Sequence, residues 1–471
     1  MTSMAGRTSP NMASILRRGC RCVPILLLLL MAVALAPPKD LGGQEAQPSK
    51  YRGWDTLKLA NGLMEVHVVP EIGGRVIQLK LAAYEYLFVN DELAGRRPPP
   101  SGLAPDGAWL NYGGEKLWPA PQGKDSPERW DGPPDPVLDG SPHAGSVVRA
   151  GGNLAAIRLV SRDDPRSGIR FAREIQLFAD SSHVHIEATM TNIDTKPRRW
   201  GIWSVLQHNA ANRSGTGYDR NIRVFCPLPA DSARGKGYYV MRGPEDHTSF
   251  QPNAAQTMIV SHYERKMGKI GVDCAAGWVA TVHGSAGYVL VQRFPYYPGK
   301  EYPDRSAVEV WLHGPYGPKA AMTDALTFPY FIETELLSPF ARLAPGESYT
   351  FGYDWFAAAI GGNYSVLDCT DAGVVCEPLT ATRPSGRLAV TGRFGIFHRG
   401  TARLIFQYGD GTALEGAVIE RRVSPLEPLV LAEALSEPPR EARTVALVVY
   451  DVAGRIRGSL GRIGIPDAGG K

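Results

Sequence analysis

The stretch FIETELLSPFARLAPGESYTFGYDWF, residues 331–356, decides the fold. Side chains alternate between the two faces of a strand, so Glu333 and Glu335 are predicted to lie side by side on one face. The turn APGE at residues 344–347 then leads into a second strand, which carries four aromatic residues on one face. These aromatic residues are Tyr349, Phe351, Tyr353 and Trp355. The pattern therefore predicts paired acids on an aromatic-rich β scaffold, either as a salt-bridged edge or as a site for general-base chemistry.

The rest of the chain also has the pattern of a mostly β protein. Its 471 residues include 52 Gly and 38 Pro, and short alternating segments replace helical periodicity. Clear strands are predicted at residues 64–69, 169–177, 184–190, 279–282, 288–294, 308–312 and 445–450. A short helix is predicted only at residues 431–435. The expected fold class is all-β.

Charge and motifs exclude several classes of function. The net charge of +4 is small and spread along the chain, so no nucleic-acid partner is expected. The sequence lacks the G-x-S-x-G, H-E-x-x-H, phosphate-loop and dinucleotide motifs, so serine hydrolase, zinc protease, kinase and dehydrogenase functions are unsupported. No cofactor is predicted.

The N-terminus has the pattern of an export signal. Residues 12–36 combine a basic start with an apolar run from residue 25, which is typical of a secretory signal peptide. Residues 1–45 are therefore predicted to be a signal peptide and short linker, with a secreted or periplasmic product and no membrane span after cleavage. A single-pass anchor is the alternative, because Pro37 and Pro38 make the cleavage site imperfect. Four cysteines then remain, and the sequence leaves their pairing open: Cys226, Cys274, Cys369 and Cys376.

Two domains are predicted after the signal. Residues 50–357 form the larger one, and residues 365–471 form a small Ig-like β-sandwich, because the strand rhythm is lost after residue 357 and then resumes. Two long loops, residues 95–107 and 123–145, are rich in Gly, Pro and Asp and are predicted to be functional rims.

Four segments carry candidate functional residues. The pair His183 and His185 alternates with apolar residues, which favours the polar face of a half-buried strand over a metal site, and no metal is predicted. NYGGEKLWPAPQG, residues 111–123, places Lys116 beside Trp118 as a sugar or carboxylate platform, or as a rigid structural loop. WGIWSVLQHNAANR, residues 200–213, ends a strand with polar groups that suit binding, among them Gln207.

The fourth segment spans residues 269–311 and adds Asp273, Tyr302 and Glu309. Its clustered tyrosines are suited to stacking on sugar rings or to covering a hydrophobic edge, and both interpretations stay open.

Six segments together resemble one known family. They are PEIGGR (residues 70–75), NYGGEKLWPAPQG, SGIRFAREIQL (167–177), GIWSVLQ (201–207), KIGVD (269–273) and IETELLSPFARLAPGESY (332–349). They resemble a bacterial secreted family of unknown function within the galactose mutarotase-like superfamily. The resemblance spans about residues 50–357.

This resemblance implies a β-supersandwich with a sugar-binding cleft on one face. In aldose 1-epimerases the segment L-E-T-Q, followed by P-G-E-x-Y, carries the glutamate that acts as general base, and here Glu333 matches it. The two histidine segments of those enzymes have no clear counterpart here, and only His208 could take the place of one of their histidines.

We therefore expect a secreted carbohydrate-binding protein that takes a mono- or oligosaccharide. Catalysis would rest on Glu333 and His208. The expected substrate-binding residues are Arg75, Lys116, Trp118, Gln207, Asp273, Tyr302, Glu309 and Glu335. The alternatives are an aldose 1-epimerase-like isomerase with Glu333 as base, a polysaccharide lyase-like enzyme using Tyr302 with Lys116, and a structural envelope role that needs no cleft.

Overall fold

The computed structural model describes residues 44–230, 232, 235–315 and 329–467 of the chain. The predicted signal segment, residues 12–36, lies outside the described residues. Nowhere in the described ranges does a helix have both the length and the apolar content needed to cross a membrane.

Strands make up most of the described chain. The first ten are β1 (Glu45–Tyr51), β2 (Trp54–Ala60), β3 (Met64–Val69), β4 (Arg75–Leu81), β5 (Tyr84–Glu85), β6 (Glu115–Ala120), β7 (Ala144–Arg149), β8 (Leu154–Val160), β9 (Ile169–Phe178) and β10 (Val184–Asn192). The next ten are β11 (Arg198–Asn209), β12 (Ile222–Pro227), β13 (Tyr238–Arg242), β14 (Phe250–Pro252), β15 (Met258–His262), β16 (Gly268–Val272), β17 (Trp278–His283), β18 (Tyr288–Arg293), β19 (Val308–Leu312) and β20 (Phe331–Leu337). The last ten are β21 (Ala341–Leu343), β22 (Ser348–Ala359), β23 (Asp368–Cys369), β24 (Gly373–Thr382), β25 (Ala389–Ile396), β26 (Gly400–Gln407), β27 (Ala413–Val423), β28 (Leu429–Ala434), β29 (Thr444–Asp451) and β30 (Ile456–Gly464). Short 3₁₀ turns cover Asp91–Leu93, Pro303–Arg305 and Pro384–Gly386.

Two large antiparallel sheets form the main body. The twelve-stranded sheet has the order β1-β2-β3-β4-β6-β11-β20-β19-β16-β13, with β5 paired to β4 and β21 paired to β11. The ten-stranded sheet has the order β14-β15-β12-β17-β18-β22-β10-β9-β8-β7. One continuous core lies between them and joins Ile332 and Leu336 of β20 to Phe351 and Trp355 of β22. This two-layer β-supersandwich confirms the predicted fold class.

The alternation in β20 gives the strand two different roles. Ile332, Thr334 and Leu336 are fully buried and face the second sheet. Glu333 and Glu335 lie on the opposite face, as the sequence predicts, because side chains on a strand have a period of two. The paired acids therefore belong to the outer face of the twelve-stranded sheet.

Residues 368–464 form two further four-stranded sheets with the orders β23-β24-β25-β28 and β27-β26-β29-β30. They share a core that includes Phe394 and Leu447. A separate apolar cluster joins β24 and the residues after β25 to the outer face of β17, β18 and β22, where the rings of Phe356 and Phe397 stack 4.6 Å apart. The independent folding of residues 365–471 stays a prediction, since the two parts bury this cluster together.

The helix predicted at residues 431–435 is wrong. Strand β28 occupies the position and pairs with β25, with Leu429 opposite Phe394. Leu429 and Leu431 are buried whereas Val430 is exposed, so the true period is two. Pairing and burial therefore outweigh the helix propensity of the Leu-Ala-Glu sequence.

The four cysteines left open by the sequence are buried free thiols: Cys226, Cys274, Cys369 and Cys376. The Cys226 thiol lies within hydrogen-bonding reach of Cys274, and burial raises its pKa. The Cys274 thiol is 3.2 Å from the carbonyl oxygen of Trp278. The described fold therefore rests on its hydrophobic cores rather than on cross-links.

Candidate functional site

A cleft of about 990 Å³ opens on the outer face of the twelve-stranded sheet. Its floor consists of the neighbouring strands β6, β11, β20, β19 and β16. Cross-strand register places Gln207 and Trp311 on either side of Glu333, while Glu309 lies opposite Glu335. Directly opposed residues share a face, so these side chains converge on one surface.

Glu333 is held by two donors at the floor of the cleft. Its Oε1 accepts hydrogen bonds from Gln207 Nε2 at 2.7 Å and from Lys116 Nζ at 3.1 Å. Burial lowers the pKa of Lys116, and the charge of Glu333 opposes that shift. Both bonds end on Oε1, so the geometry leaves Oε2 available to a ligand.

Tryptophan rings form the walls around these charges. The Lys116 ammonium lies 5.5 Å from the ring centre of Trp109 and 5.1 Å from that of Trp118. Trp118 packs edge-on against Trp203 at 5.4 Å, and Trp311 also lines the cleft. Such flat apolar walls beside a few fixed polar groups are typical of small-ligand sites.

Asp139 positions two of these rings from outside the cleft. Its Oδ2 accepts a hydrogen bond from Trp109 Nε1 at 2.8 Å, and its Oδ1 accepts one from Trp118 Nε1 at 3.2 Å. The fully buried guanidinium of Arg75 forms an ion pair with the same carboxylate. Arg75 therefore does not line the cleft but acts through Asp139.

The second acid of the pair belongs to a denser cluster. Glu335 Oε2 accepts hydrogen bonds from Trp203 Nε1 at 2.8 Å and from Lys269 Nζ at 2.9 Å. Lys269 Nζ is also 2.5 Å from Glu309 Oε2. Burial lowers the pKa of Lys269, but Glu309 and Glu335 outweigh it, so the net pKa is raised. Burial raises the pKa of Glu335 to about 8 and also raises the pKa of Glu309.

The rim carries additional polar groups. Arg129, from the predicted rim loop at residues 123–145, lies 3.5 Å from the Asp304 carboxylate. The His313 ring stacks on Phe331 at 4.2 Å. Burial lowers the pKa of His313 to about 4, so the imidazole is neutral at neutral pH.

Besides Arg75, the structure leaves three predicted site residues outside the cleft. His208 faces the core between the sheets, where its Nε2 lies 2.8 Å from Thr334 Oγ1 and 2.9 Å from Thr281 Oγ1. Asp273 accepts a hydrogen bond from Tyr296 Oη at 2.8 Å. Tyr302 stacks on Tyr296 and lines a neighbouring pocket of about 610 Å³, which adjoins the cleft at Arg129 and Asp304. The other predicted residues line the cleft or support it.

Sequence reasoning missed several residues that shape the site: Trp109, Arg129, Asp139 and His313. Arg129 and Asp139 lie in a loop that was predicted to be a rim, so the loop was identified but its residues were not. Strand alternation past Glu309 and Trp311 would have found His313. Nothing in the sequence pattern distinguishes Trp109.

A family comparison matches the part of the chain that contains this cleft. The model of a family described as a domain of unknown function, DUF4380, matches residues 55–357. The chain belongs to the DUF4380 family. This confirms the predicted resemblance to a family of unknown function. Every residue that lines the cleft falls within the DUF4380 region, whereas β23 to β30 follow it. No curated protein matches the chain in sequence.

Solved structures similar to this DUF4380 protein include a TPR-domain containing protein from Parabacteroides distasonis. That protein is 14% identical with a TM-score of 0.44, and the match covers 67% of this chain and 48% of that one. This chain thus spans about half the length of that protein.

Two others are described as galactose mutarotase-like proteins. The one from Clostridium acetobutylicum is 11% identical with a TM-score of 0.42, covering 67% of this chain and 99% of its own. The one from Lactobacillus casei is 12% identical with a TM-score of 0.40, covering 64% and 99%.

One group in the described part of the DUF4380 protein has the side chains to hold a metal ion. His183 Nε2 and His185 Nδ1 lie 2.6 and 2.8 Å from the same oxygen of Asp354, outside the cleft. The hydrogen bonds to Asp354 account for the positions of both rings without a metal ion. His185 lies on the half-buried polar face of β10, as the sequence predicts, and the half-buried His183 immediately precedes the strand.

Proposed function

We propose that this DUF4380 protein is an exported carbohydrate-binding protein and that the sugar binds in the cleft over Glu333. The observation that carries the proposal is the ring of tryptophans around carboxylates whose orientation is already fixed. The apolar run from residue 25 supports export.

The chemistry of a sugar suits this surface. A pyranose has one or two faces of C–H groups, which pack on indole rings, and a periphery of hydroxyl groups, which need directional partners. Trp118, Trp203 and Trp311 supply the flat surfaces, and Glu333 supplies a carboxylate oxygen for the hydroxyl groups. The Lys116 and Gln207 bonds fix that carboxylate before the ligand arrives, which lowers the entropy lost on binding.

Aldose 1-epimerase-like activity is the second candidate, and the orientation of Glu333 favours it. A base for this reaction must reach the anomeric hydroxyl group within hydrogen-bonding distance. Glu333 Oε2 could meet this requirement, because the Lys116 and Gln207 hydrogen bonds both end on Oε1 and leave Oε2 for the hydroxyl group. The lyase-like alternative has less support, because Lys116 packs against the cleft tryptophan Trp118 whereas Tyr302 lines the neighbouring pocket and not the cleft.

A glycan screen on the purified protein tests the proposal. We expect selective binding of a saccharide by the wild type and at least a tenfold loss of affinity in Glu333→Gln, since the amide cannot accept in the same way. Glu174→Gln is the matched control. Like Glu333, Glu174 lies on a strand and accepts a hydrogen bond from a glutamine amide, Gln176 Nε2 at 2.8 Å, but its strand belongs to the ten-stranded sheet, away from the cleft floor. Unchanged binding in Glu333→Gln would place the ligand elsewhere, and no bound saccharide would refute the proposal.

A further inference from the structure

The buried charges of the cleft do not balance if every group is ionised. Glu309, Glu333 and Glu335 are 1%, 9% and 1% exposed. Among the residues that the structure describes, only two amines, Lys116 and Lys269, bond to them. A buried charge without a counter-charge is strongly unfavourable, so a neutral cluster needs one proton on one of the three carboxyls.

The contacts indicate which of the three carboxyls hold the extra proton. Glu333 has its own ammonium, Lys116, and an amide donor. Lys269 is shared between Glu309 and Glu335, so one ammonium faces two carboxyls. The extra proton therefore belongs to this second pair.

An independent observation points to the same place. Glu309 Oε1 is fully buried, and no described group donates a hydrogen bond to it. The carboxyls of Glu309 and Glu335 nevertheless lie within hydrogen-bonding reach of each other. Two carboxylates cannot bond to each other without a proton between them, whereas a carboxylic acid donates to a carboxylate.

We propose that Glu309 and Glu335 share one proton at neutral pH, so that Glu335 meets a bound sugar as a proton donor beside the ionised Glu333. The role toward a sugar rests on the proposed function, whereas the shared proton does not. Glu333 and Glu335 then form a base and an acid on one strand, two residues apart. Glu309 is a positioning residue that acts through Glu335.

The electrostatic surroundings agree with this assignment. Burial and the charge of Glu333 both raise the pKa of Glu335, and Asp304 adds to the raised pKa of Glu309. Lys269 opposes both shifts but cannot neutralise two carboxylates. The other charged or titratable groups lining the cleft are Arg129, Arg242, Asp304 and His313. Arg129 is paired with Asp304, Arg242 is exposed, and His313 is neutral.

The pair would complete a ring-opening step without another reagent. Glu333 takes the proton of the anomeric hydroxyl group, and the O–H electron pair forms the carbonyl bond. The bond from the anomeric carbon to the ring oxygen breaks, and the ring oxygen takes that electron pair together with the proton from Glu335. Closure on the other face of the carbonyl reverses both transfers, so nothing is oxidised or reduced.

A titration of the ligand-free protein tests the shared proton directly. With ¹³C at the glutamate carboxyl carbons, we expect the wild type to show one carboxyl that titrates near pH 8, against about 4.3 for an ordinary glutamate. Glu335→Gln and Glu309→Gln each leave two carboxyls for two ammoniums, so both variants should lose this titration, and Glu174→Gln should keep it. A wild type with every carboxyl ionised at pH 6, or a titration that persists in both cleft variants, would overturn the proposal.

The donor role has its own readout, the affinity for the strongest saccharide of the glycan screen between pH 7 and 9.5. We expect wild-type affinity to fall about tenfold as the donor is lost, and Glu335→Gln, whose amide keeps an N–H donor, to stay level. A pH-independent wild type would refute the donor role. If no saccharide binds, the proposed function fails, whereas the titration still decides the shared proton.

Discussion

Replacing Asp139 by asparagine should destabilise the fold by about 3–5 kcal/mol, because it leaves a buried charge without its partner. Arg75 is 0% exposed; besides its ion pair with Asp139 it donates hydrogen bonds to the carbonyl oxygens of Ile72 and Gly113, at 3.1 and 3.2 Å, and its guanidinium lies 5.8 Å from the ring centre of Tyr112. Arg75→Met should cost about the same, since it leaves the buried Asp139 carboxylate with two indole donors but without its ion-pair partner. The double variant removes both charges and keeps an amide oxygen for the indole groups of Trp109 and Trp118. Its loss should therefore be smaller than the sum of the single losses by about 2–3 kcal/mol.

The assay is urea denaturation of the wild type, the two single variants and the double variant, monitored by tryptophan fluorescence. The two single variants should also weaken saccharide binding, because Asp139 holds two walls of the cleft. Additive losses within about 0.5 kcal/mol would refute the reasoning, since they would show that the two groups do not interact.

Three other predictions concern the remaining parts of the chain. A chain ending at Ile360 should bind a hydrophobic dye and aggregate, because it exposes the apolar face that Phe397 and its neighbours cover; a soluble monomer without dye binding would contradict this. The hydrogen bond to Asp354 raises the pKa of His185. Burial alone would raise the pKa of Asp354, but the hydrogen bonds from His183 and His185 outweigh burial and lower it. The stabilisation is therefore present between about pH 4 and 6.5 and is lost as pH rises through the raised pKa of His185, so Asp354→Asn should lower the urea midpoint more at pH 5.5 than at pH 9, and equal losses would contradict the pairing. Mass spectrometry of the exported protein should find an N-terminus between Pro37 and Gln47, and an intact N-terminus in the membrane fraction would favour an anchor.

Local periodicity predicts much of the fold and part of the site. The alternation in residues 331–337 and 348–356 predicts both the strands and the common face of Glu333 and Glu335. The same alternation argues against His208 as a partner of Gln207, because consecutive residues face opposite sides of a strand; the resemblance to the epimerase histidines outweighed that signal. Residues 431–435 show the limit of local propensity, since the pairing of β28 with β25 decides its structure.

The rest of the site depends on contacts between distant segments. Asp139 meets Trp109 and Trp118 only after the loop at residues 123–145 folds over the sheet, and no pattern in the sequence encodes that. Likewise, the shared Lys269 becomes apparent only when β16, β19 and β20 are placed side by side. The sequence predicts the paired acids, but the number of buried ammoniums around them is a property of the sheet.

The most direct test of the central claim, that the cleft binds carbohydrate, uses the indole N–H signals of the tryptophans in a ¹⁵N-labelled sample titrated with a saccharide from the screen. Trp118 and Trp203 line the cleft, whereas the Trp54 and Trp200 indoles donate to the carbonyl oxygens of Arg96 and Ser167, and none of these four residues lines the cleft. The account predicts that the Trp118 and Trp203 signals shift in proportion to occupancy while those of Trp54 and Trp200 do not move. Shifts confined to Trp54 or Trp200, with the cleft signals unchanged at saturation, would contradict it.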